Sequence, residues 1–339
     1  MDGDGIPLAF SINSGNTNEQ QTLKPLEEKI LSDFNISKLI VCTDAGLSSY
    51  TNRLFNNKKD RAFVTTQSIK KLKGFLKEWA LDPTGWKIRG SKKEYNIREI
   101  DEDKFLEKIF YKERWIKEKD LEQKLIITYS VKYKRYQSSI REKQIYRATK
   151  IIEENPQKIK QANQNDCKRF IERTDCTKEG EIAEKTILTI NQEKIKEEEK
   201  YDGFYAVCTN LEGDTEKIIE INKRRWEIEE CFRIMKSEFK ARPVYLSIKE
   251  RIEAHFLTCF LALVIYRLLE KKLEEKYTCS EIIDNLSNMN FYKSKSNGYI
   301  PAYTRSDFTD DIHEVFGFRT DYEIVTKKIM KKIFKITKS

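Results

Sequence analysis

A short run of apolar residues at positions 39–42 (Leu-Ile-Val-Cys) constrains the fold of this chain more than any other stretch. A continuous apolar run of this length predicts a strand buried on both faces, as in a parallel sheet. Asp44 follows that strand directly. Because ligands of open α/β sheets bind beyond the carboxyl ends of the strands, Asp44 is a candidate site residue. The alternative is that Asp44 only caps or turns the chain before a helix at residues 50–55.

A second feature is the stretch 222–236, which contains strong helix formers and no Gly or Pro and therefore predicts a helix. Arg225, Glu229 and Lys236 fall on one face, because steps of four and seven residues return to the same side of a helix. Arg233 lies four residues beyond Glu229. A carboxylate flanked by cations can hold a metal ion beside a phosphate backbone. The alternative is a solvated face with modest ion pairs. Apolar residues at helical spacing define the buried face: Ile228, Cys231, Phe232, Met235 and Phe239.

A predicted strand at residues 204–208 comes before this helix. Such a strand-then-helix unit would bring Glu229 towards the sheet edge that carries Asp44. Asp202 and Gly203 open the strand, but Asp-Gly is a common turn pair, so we assign Asp202 no catalytic role.

The spacing of Arg225, Glu229 and Lys236 resembles the signature of DDE transposases of bacterial insertion sequences, in the IS-4-like group, although Asn222 stands where that family has Tyr. Residues 41–49 (Val-Cys-Thr-Asp-Ala-Gly-Leu-Ser-Ser) resemble the family segment that carries the second catalytic Asp. The resemblance covers nearly the whole chain, most firmly residues 1–66 and 200–270. It extends to several short segments after the helix: Arg242-Pro243-Val244-Tyr245, Arg251-Ile252, His255-Phe256 and Tyr266-Arg267-Leu268-Leu269-Glu270.

The resemblance implies an α/β fold with an RNase H-like mixed sheet flanked by helices, an inserted α+β region and a helical C-terminal part. It implies that Asp44 and Glu229 are two of three metal-binding carboxylates, and that Arg225, Arg233 and Lys236 hold DNA phosphates. Mg²⁺, which Mn²⁺ can replace, suits carboxylate oxygens and would activate water or a DNA 3′-hydroxyl. The implied partners are the element ends and target DNA, bound by a homodimer. The expected location is the cytoplasm, at the nucleoid.

We expect four segments. Residues 1–80 would form the first part of the catalytic core, 81–200 an inserted strand and helix region, 201–275 the second part of the core, and 276–339 a C-terminal helical tail. Within them the pattern predicts strands at residues 6–12 and 62–66 and a basic helix at 68–80. It also predicts helices at 20–34, 133–154 and 163–174.

One catalytic residue has no counterpart in this sequence. In the resembled family the first Asp lies upstream of a Gly-rich hairpin turn, and here Met1 begins at that turn, Gly3-Asp4-Gly5. We therefore expect a chain that lacks the first strands of its sheet. An incomplete sheet exposes edges and core, so the chain would be less stable and prone to associate. A site without one ligand would cleave DNA poorly or not at all.

The composition of the chain limits the kinds of catalytic site that it can form. The formal charge of +9 over 339 residues suits a polyanionic partner. Two histidines and seven scattered cysteines leave little material for a zinc site, a Ser/His/Asp triad or a disulfide framework, so the chemistry must come from carboxylates. The longest apolar run, residues 256–266, is shorter than the roughly 20 residues that a membrane span needs, and it predicts a buried core helix.

Three other interpretations remain open. The chain could be a non-catalytic DNA-binding or regulatory remnant of a transposase, which interferes with the full-length enzyme. It could be an RNase H-like nuclease unrelated to mobile DNA, since that class shares the chemistry. It could also be a charged scaffold protein.

Overall fold

A computed structural model describes residues 1–34, 36–154, 165–176, 185–294 and 298–336. The described chain forms two compact units, which we call the sheet unit (Thr17–Lys223) and the signature unit (Met1–Asn16 and Arg224–Ser339). The helices are α1 Glu19–Phe34, α2 Tyr50–Phe55, α3 Gly74–Leu81, α4 Val131–Glu154, α5 Gln192–Glu199, α6 Thr215–Lys223, α7 Trp226–Ser237, α8 Lys249–Lys272, α9 Cys279–Asn288, α10 Asp307–Phe316 and α11 Lys327–Ile336. The strands are β1 Leu39–Thr43, β2 Arg61–Thr66, β3 Lys87–Ile88, β4 Phe110–Glu118, β5 Leu121–Tyr129, β6 Ile171–Cys176, β7 Lys185–Ile190, β8 Phe204–Thr209, β9 Phe291–Lys293, β10 Gly298–Pro301 and β11 Val325–Thr326.

The sheet unit is organised around one six-stranded mixed sheet with the order β1-β2-β8-β5-β4-β3. β1 and β2 are parallel, with Leu39 opposite Arg61, and the other neighbours are antiparallel. Helices flank this sheet, so the fold is the mixed α/β arrangement expected. The boundaries proposed at residues 80, 200 and 275 stay a prediction, and β3, β4 and β5 belong to the same sheet as β1, β2 and β8.

The centre of the sheet is packed on both faces. In β5, Leu125, Ile126 and Ile127 are all fully buried. Successive side chains of a strand point to opposite faces. Leu125 and Ile127 accordingly pack in a cluster with Trp86 on one face, while Ile126 packs with Val207 on the other. These two layers of apolar contacts hold the sheet that carries Asp44.

The expectation that residues 39–42 are buried on both faces is wrong. The strand is present and parallel to its neighbour, but β1 is an edge strand of the sheet in the described residues, and Ile40 is 46% exposed. An edge strand has one hydrogen-bonded neighbour, so its apolar run covers less of the core than a central strand would. The predicted strand at 62–66 is confirmed as β2, and the strand at 204–208 as β8.

Two predicted helices of the sheet unit are wrong, and two others are confirmed. The basic helix at 68–80 is interrupted, because Leu72 and Lys73 are extended, and only α3 continues as a helix. Of the predicted helix at 163–174, the structure describes residues from 165 onward, and there β6 pairs antiparallel with β7. Cross-strand pairing overrides the local helical pattern at this point. The helices predicted at 20–34 and 133–154 are confirmed as α1 and α4.

The signature unit packs α7, α8, α9 and α10 around a second core. Its buried members include Ile234 of α7, Leu263 of α8 and Ile282 of α9. The turn at residues 2–5 forms as predicted, with the Asp2 carboxylate accepting hydrogen bonds from the backbone of Asp4 and Ile6, each at 2.9 Å. The predicted strand at residues 6–12 is absent from the described chain, and Phe10 instead stacks on Phe260 of α8 with ring centroids 4.7 Å apart.

Helix α8 is less buried than the sequence predicted. Leu257, Leu261 and Ile265 are 47%, 53% and 67% exposed, so residues 256–266 form a core helix on one side only. Among the described helices, α8 alone is long and apolar enough to cross a membrane by length and composition, with 22% of its most apolar window buried. Core helices of water-soluble proteins reach the same length and composition.

The C-terminal part is not purely helical. A three-stranded antiparallel sheet with the order β11-β10-β9 lies among α9, α10 and α11. Its short strands give α11 a surface on which to pack, with Val325 fully buried beneath that helix.

Candidate active site

Asp44 lies in a loop that is fixed by hydrogen bonds from three elements. The Thr65 hydroxyl on β2 donates to the Asp44 carbonyl at 3.3 Å. The Gln20 side chain on α1 donates to the Gly46 carbonyl. The Asn52 side chain on α2 donates to the Leu47 carbonyl at 3.1 Å. This anchoring holds the Asp44 backbone in place at the carboxyl end of β1.

The Asp44 side chain is exposed and caps the turn that follows it. Its Oδ1 accepts a hydrogen bond from the Leu47 backbone at 3.1 Å. The capping alternative raised by the sequence is therefore present in the structure. Oδ2 has no protein hydrogen-bond partner within the described ranges. One carboxylate oxygen of Asp44 therefore caps the turn, and the other is available to bind a ligand.

A second carboxylate, which the sequence reasoning missed, lies close to Asp44. A Cβ added to Gly46 would lie 3.2 Å from Asp44 Oδ1 and 3.5 Å from Glu19 Oε2. The two carboxylates therefore face the same gap above Gly46. Glu19 opens α1, where an acidic side chain is favoured by the helix dipole, so its position in the sequence gave no separate signal.

The predicted helix at 222–236 is divided in two. α6 ends at Lys223 and α7 starts at Trp226, with Arg224 and Arg225 in a turn between them. The first backbone hydrogen bonds of α7 join residues three apart, from Glu227 to Arg224 and from Ile228 to Arg225, each at 3.1 Å. The break coincides with the border between the two compact units, and each helix packs in the core of its own unit.

Arg225 and Glu229 form the ion pair that helical spacing predicts. Arg225 Nη1 donates to Glu229 Oε1 at 2.7 Å, and the Glu229 side chain is 66% exposed. Glu229 Oε2 accepts no protein hydrogen bond in the part of the chain that the structure describes. The Lys236 ammonium lies 5.8 Å from the centroid of the Phe232 ring and is exposed. Glu229 therefore presents a carboxylate that is oriented by one cation, Arg225.

Arg233 pairs with Glu230 rather than with Glu229. Its Nε and Nη2 donate to the two Glu230 oxygens at 2.8 and 2.5 Å, and this bidentate pairing lowers the pKa of Glu230 and raises the pKa of Arg233. A spacing of three residues on a helix makes this pair readable from the sequence. Arg233 reaches a phosphate only by exchanging or sharing this partner.

A buried arginine of α8 holds α7 in position, and the sequence reasoning gave it no role. Arg267 is 3% exposed. Its guanidinium forms ion pairs with Glu227 of α7, at 3.7 Å, and with Glu270. Its Nε donates to the Gly5 carbonyl at 3.1 Å. The cation therefore links the N-terminal turn, α7 and α8, and it fixes the helix on which Glu229 sits.

Oxygen donors are the ligands that hard divalent cations take, and each of Asp44 and Glu229 has one oxygen without a protein partner in the described residues. The donor chemistry of both residues therefore fits Mg²⁺ or Mn²⁺. Asp44 belongs to the sheet unit, whereas Arg225, Glu229, Arg233 and Lys236 belong to the signature unit.

Two other groups of charged residues have structural partners. Asp202, which we assigned no catalytic role, is 8% exposed and accepts two hydrogen bonds from Arg141. Asp310, His313 and Asp321 lie close enough to share a cation. Arg319 already occupies that position, donating to both carboxylates at 2.8–2.9 Å. The arginine holds the pKa of Asp321 down, to about 2.

Comparison with known proteins identifies a family for this chain. A search of curated proteins finds no match. The family model described as "Transposase DDE domain" matches residues 1–265, which include Asp44 and helix α7. Proteins of this family generally depend on divalent metal ions and act on DNA. Because the matched segment covers more than half of the sequence, the chain belongs to the transposase DDE domain family.

Proposed function

We propose that this chain is the DNA transposase of an insertion sequence of the IS-4-like group, acting by metal-dependent strand cleavage and strand transfer. The observation that carries the proposal is the exposed Glu229 carboxylate of α7, which pairs with Arg225 in the preceding turn, inside the segment that matches the transposase family. Its partners are the element ends and target DNA, bound by a homodimer. It acts in the bacterial cytoplasm at the nucleoid.

Mg²⁺, or Mn²⁺ in its place, would make the attacking oxygen a better nucleophile and neutralise charge on the leaving oxygen. Asp44 and Glu229 would each offer a metal ion the carboxylate oxygen that makes no hydrogen bond within the described residues. Arg225 orients Glu229 through the 2.7 Å hydrogen bond between them. Lys236 and Arg233 bind DNA phosphates near the scissile bond, and Arg233 does so by sharing Glu230.

A second function, DNA binding without catalysis, stays a candidate. The family uses three carboxylates, and two of them, Asp44 and Glu229, are assigned to residues of this chain. We therefore expect slow cleavage by the chain alone. A chain that binds DNA and forms mixed oligomers without cleaving would act as a regulator of an active transposase.

The test is strand nicking of an end-labelled duplex in Mg²⁺ and in Mn²⁺. Asp44→Asn and Glu229→Gln are compared with Asp33→Asn and Glu250→Gln, which alter exposed acidic residues outside the proposed site. Metal-dependent nicking that the site variants abolish and the controls retain supports the transposase. Nicking that survives both site substitutions refutes the assignment of Asp44 and Glu229. DNA binding without nicking by any form favours the regulator.

A further inference from the structure

The last helix, α11, carries all its charge on one face. Its ten residues read Lys-Lys-Ile-Met-Lys-Lys-Ile-Phe-Lys-Ile. At about 100° per residue, the five lysines fall within an arc of about 140°, and the apolar residues fill the opposite arc. The lysines are Lys327, Lys328, Lys331, Lys332 and Lys335, and all five are exposed.

The apolar face of α11 is already used by the fold. Met330 and Ile333 are each 7% exposed and pack against Val325 of β11. Phe291, Tyr299 and Phe318 pack against the same cluster. The fold therefore buries the middle of this face, and Ile329, Phe334 and Ile336 at its edges are 39%, 57% and 39% exposed. The lysines form the charged surface that α11 offers to a partner.

Four of the five lysines have no acidic partner among the described residues. α11 contains no acidic residue, and no carboxylate in the described residues forms an ion pair with Lys328, Lys331, Lys332 or Lys335. Like charges three and four residues apart destabilise a helix. Lysines in the first turn also oppose the helix dipole. The lysines therefore destabilise the helix that carries them, and a locally unfavourable arrangement of this kind is expected of a binding surface.

We propose that α11 is a docking surface for the phosphate backbone of duplex DNA, binding without regard to base sequence. Lys328 to Lys335 span about 10 Å along the helix axis at 1.5 Å per residue, which is the axial length of about three phosphates of one strand at 3.4 Å each. The helix lies outside residues 1–265, so the surface adds to the segment that matches the transposase family. This inference rests on the proposed function for the identity of the polyanion.

The experiment measures the affinity of the full chain for a duplex of arbitrary sequence over a series of salt concentrations by fluorescence anisotropy. Each phosphate contact contributes about 0.9 to the slope of log affinity against log salt. Replacing Lys328, Lys331, Lys332 and Lys335 with Gln should lower the slope by about 2 to 4. The same four positions changed to Arg should keep the slope.

A control with the same change of net charge replaces four exposed lysines that lie elsewhere, Lys29, Lys92, Lys143 and Lys217. It should change the slope by less than about 1. Thermal unfolding without DNA checks the fold, and relief of like-charge repulsion should leave the Gln variant at least as stable as the parent. If that variant unfolds, Lys328→Gln/Lys332→Gln should lower the slope by about 1 to 2.

Each outcome supports or refutes the docking surface. Equal slopes for parent and Gln variant, with DNA still bound, overturn the docking surface alone. Failure of the parent chain to bind DNA at any salt concentration overturns both this inference and the proposed function. Phosphatidylserine vesicles serve as the second arm: loss of vesicle binding in the Gln variant with DNA binding unchanged assigns the lysine face to a membrane and refutes the proposal.

Discussion

Replacing Arg267 with Met should destabilise the signature unit strongly. At an effective dielectric constant of about 20, two unit charges at the 3.7 Å distance between Arg267 and Glu227 attract each other by about 4.5 kcal/mol. Removing the cation leaves Glu227 paired only with the half-exposed Arg224, and Glu270 with only the hydrogen bond from the Tyr266 hydroxyl, although their side chains are only 10% and 14% exposed. Breaking a buried pair in this way costs about 3–5 kcal/mol. The Gly5 carbonyl also loses its donor.

The assay is native-state hydrogen exchange of α8 followed by mass spectrometry, which reports local opening in this unit. A loss of 3 kcal/mol or more accelerates exchange about a hundredfold or more. The matched control is Lys249→Met on the same helix, because Lys249 and Glu253 are also 3.7 Å apart but are 83% and 51% exposed. That exposed pair should contribute about 0–1 kcal/mol. Similar exchange in the two variants would refute the reasoning that burial makes Arg267 important.

Three further changes test the packing. Gly5→Ala should destabilise the signature unit in thermal unfolding, because Gly5 has a φ of +81° and an added Cβ would overlap Glu227. Glu27→Gln should raise the urea midpoint of unfolding at pH 7, because burial raises the pKa of Glu27 and folding therefore disfavours its charged form above pH 4.5. The Gln side chain can still accept the hydrogen bond from Asn56. The gain in stability should shrink at pH 4.5. Burial lowers the pKa of Lys112 from 10.5 to about 8, so the buried charge destabilises the fold below pH 8, and this cost disappears as the pH rises to 10.5. The free energy of unfolding of the parent relative to Lys112→Met should rise over this range by at most about 3 kcal/mol. A difference between the two proteins that does not change with pH would contradict this reasoning.

The sequence predicted those parts of the fold that depend on local pattern. α1 and α4 have long helical sequences, and β2 and β8 have short apolar runs, so the elements follow from periodicity. The mistakes arise where tertiary contacts decide. The alternating residues 6–12 pair with no strand in the described chain, and Phe10 contacts α8 instead.

The position of the strand at residues 39–42 within the sheet could not be predicted from the sequence. Residues 39–42 form a strand as predicted, but nothing in four apolar residues distinguishes an edge from a centre. The helix breaks at Arg224 and Arg225, where the sequence has no Gly or Pro that would predict a break. The break depends instead on the packing of α6 and α7 in separate cores.

The site was predictable wherever the partners are close in sequence. Arg225 and Glu229 pair across four residues, as helical spacing requires. Glu230 as the partner of Arg233 follows from the same rule and was overlooked. Arg267 is 262 residues from Gly5 in the sequence, and only the folded chain shows that they are hydrogen-bonded.

The central proposal is that Asp44 and Glu229 are each ligands of a divalent metal ion. Fe²⁺ bound in place of Mg²⁺, in the presence of ascorbate and peroxide, produces hydroxyl radicals that cleave the backbone beside the ion. We expect cleavage near residues 44 and 229 in the parent chain, suppressed by excess Mg²⁺, with cleavage near residue 44 lost in Asp44→Asn and cleavage near residue 229 lost in Glu229→Gln. Cleavage near residue 44 that persists in Asp44→Asn, or near residue 229 that persists in Glu229→Gln, would contradict the assignment of that residue as a metal ligand.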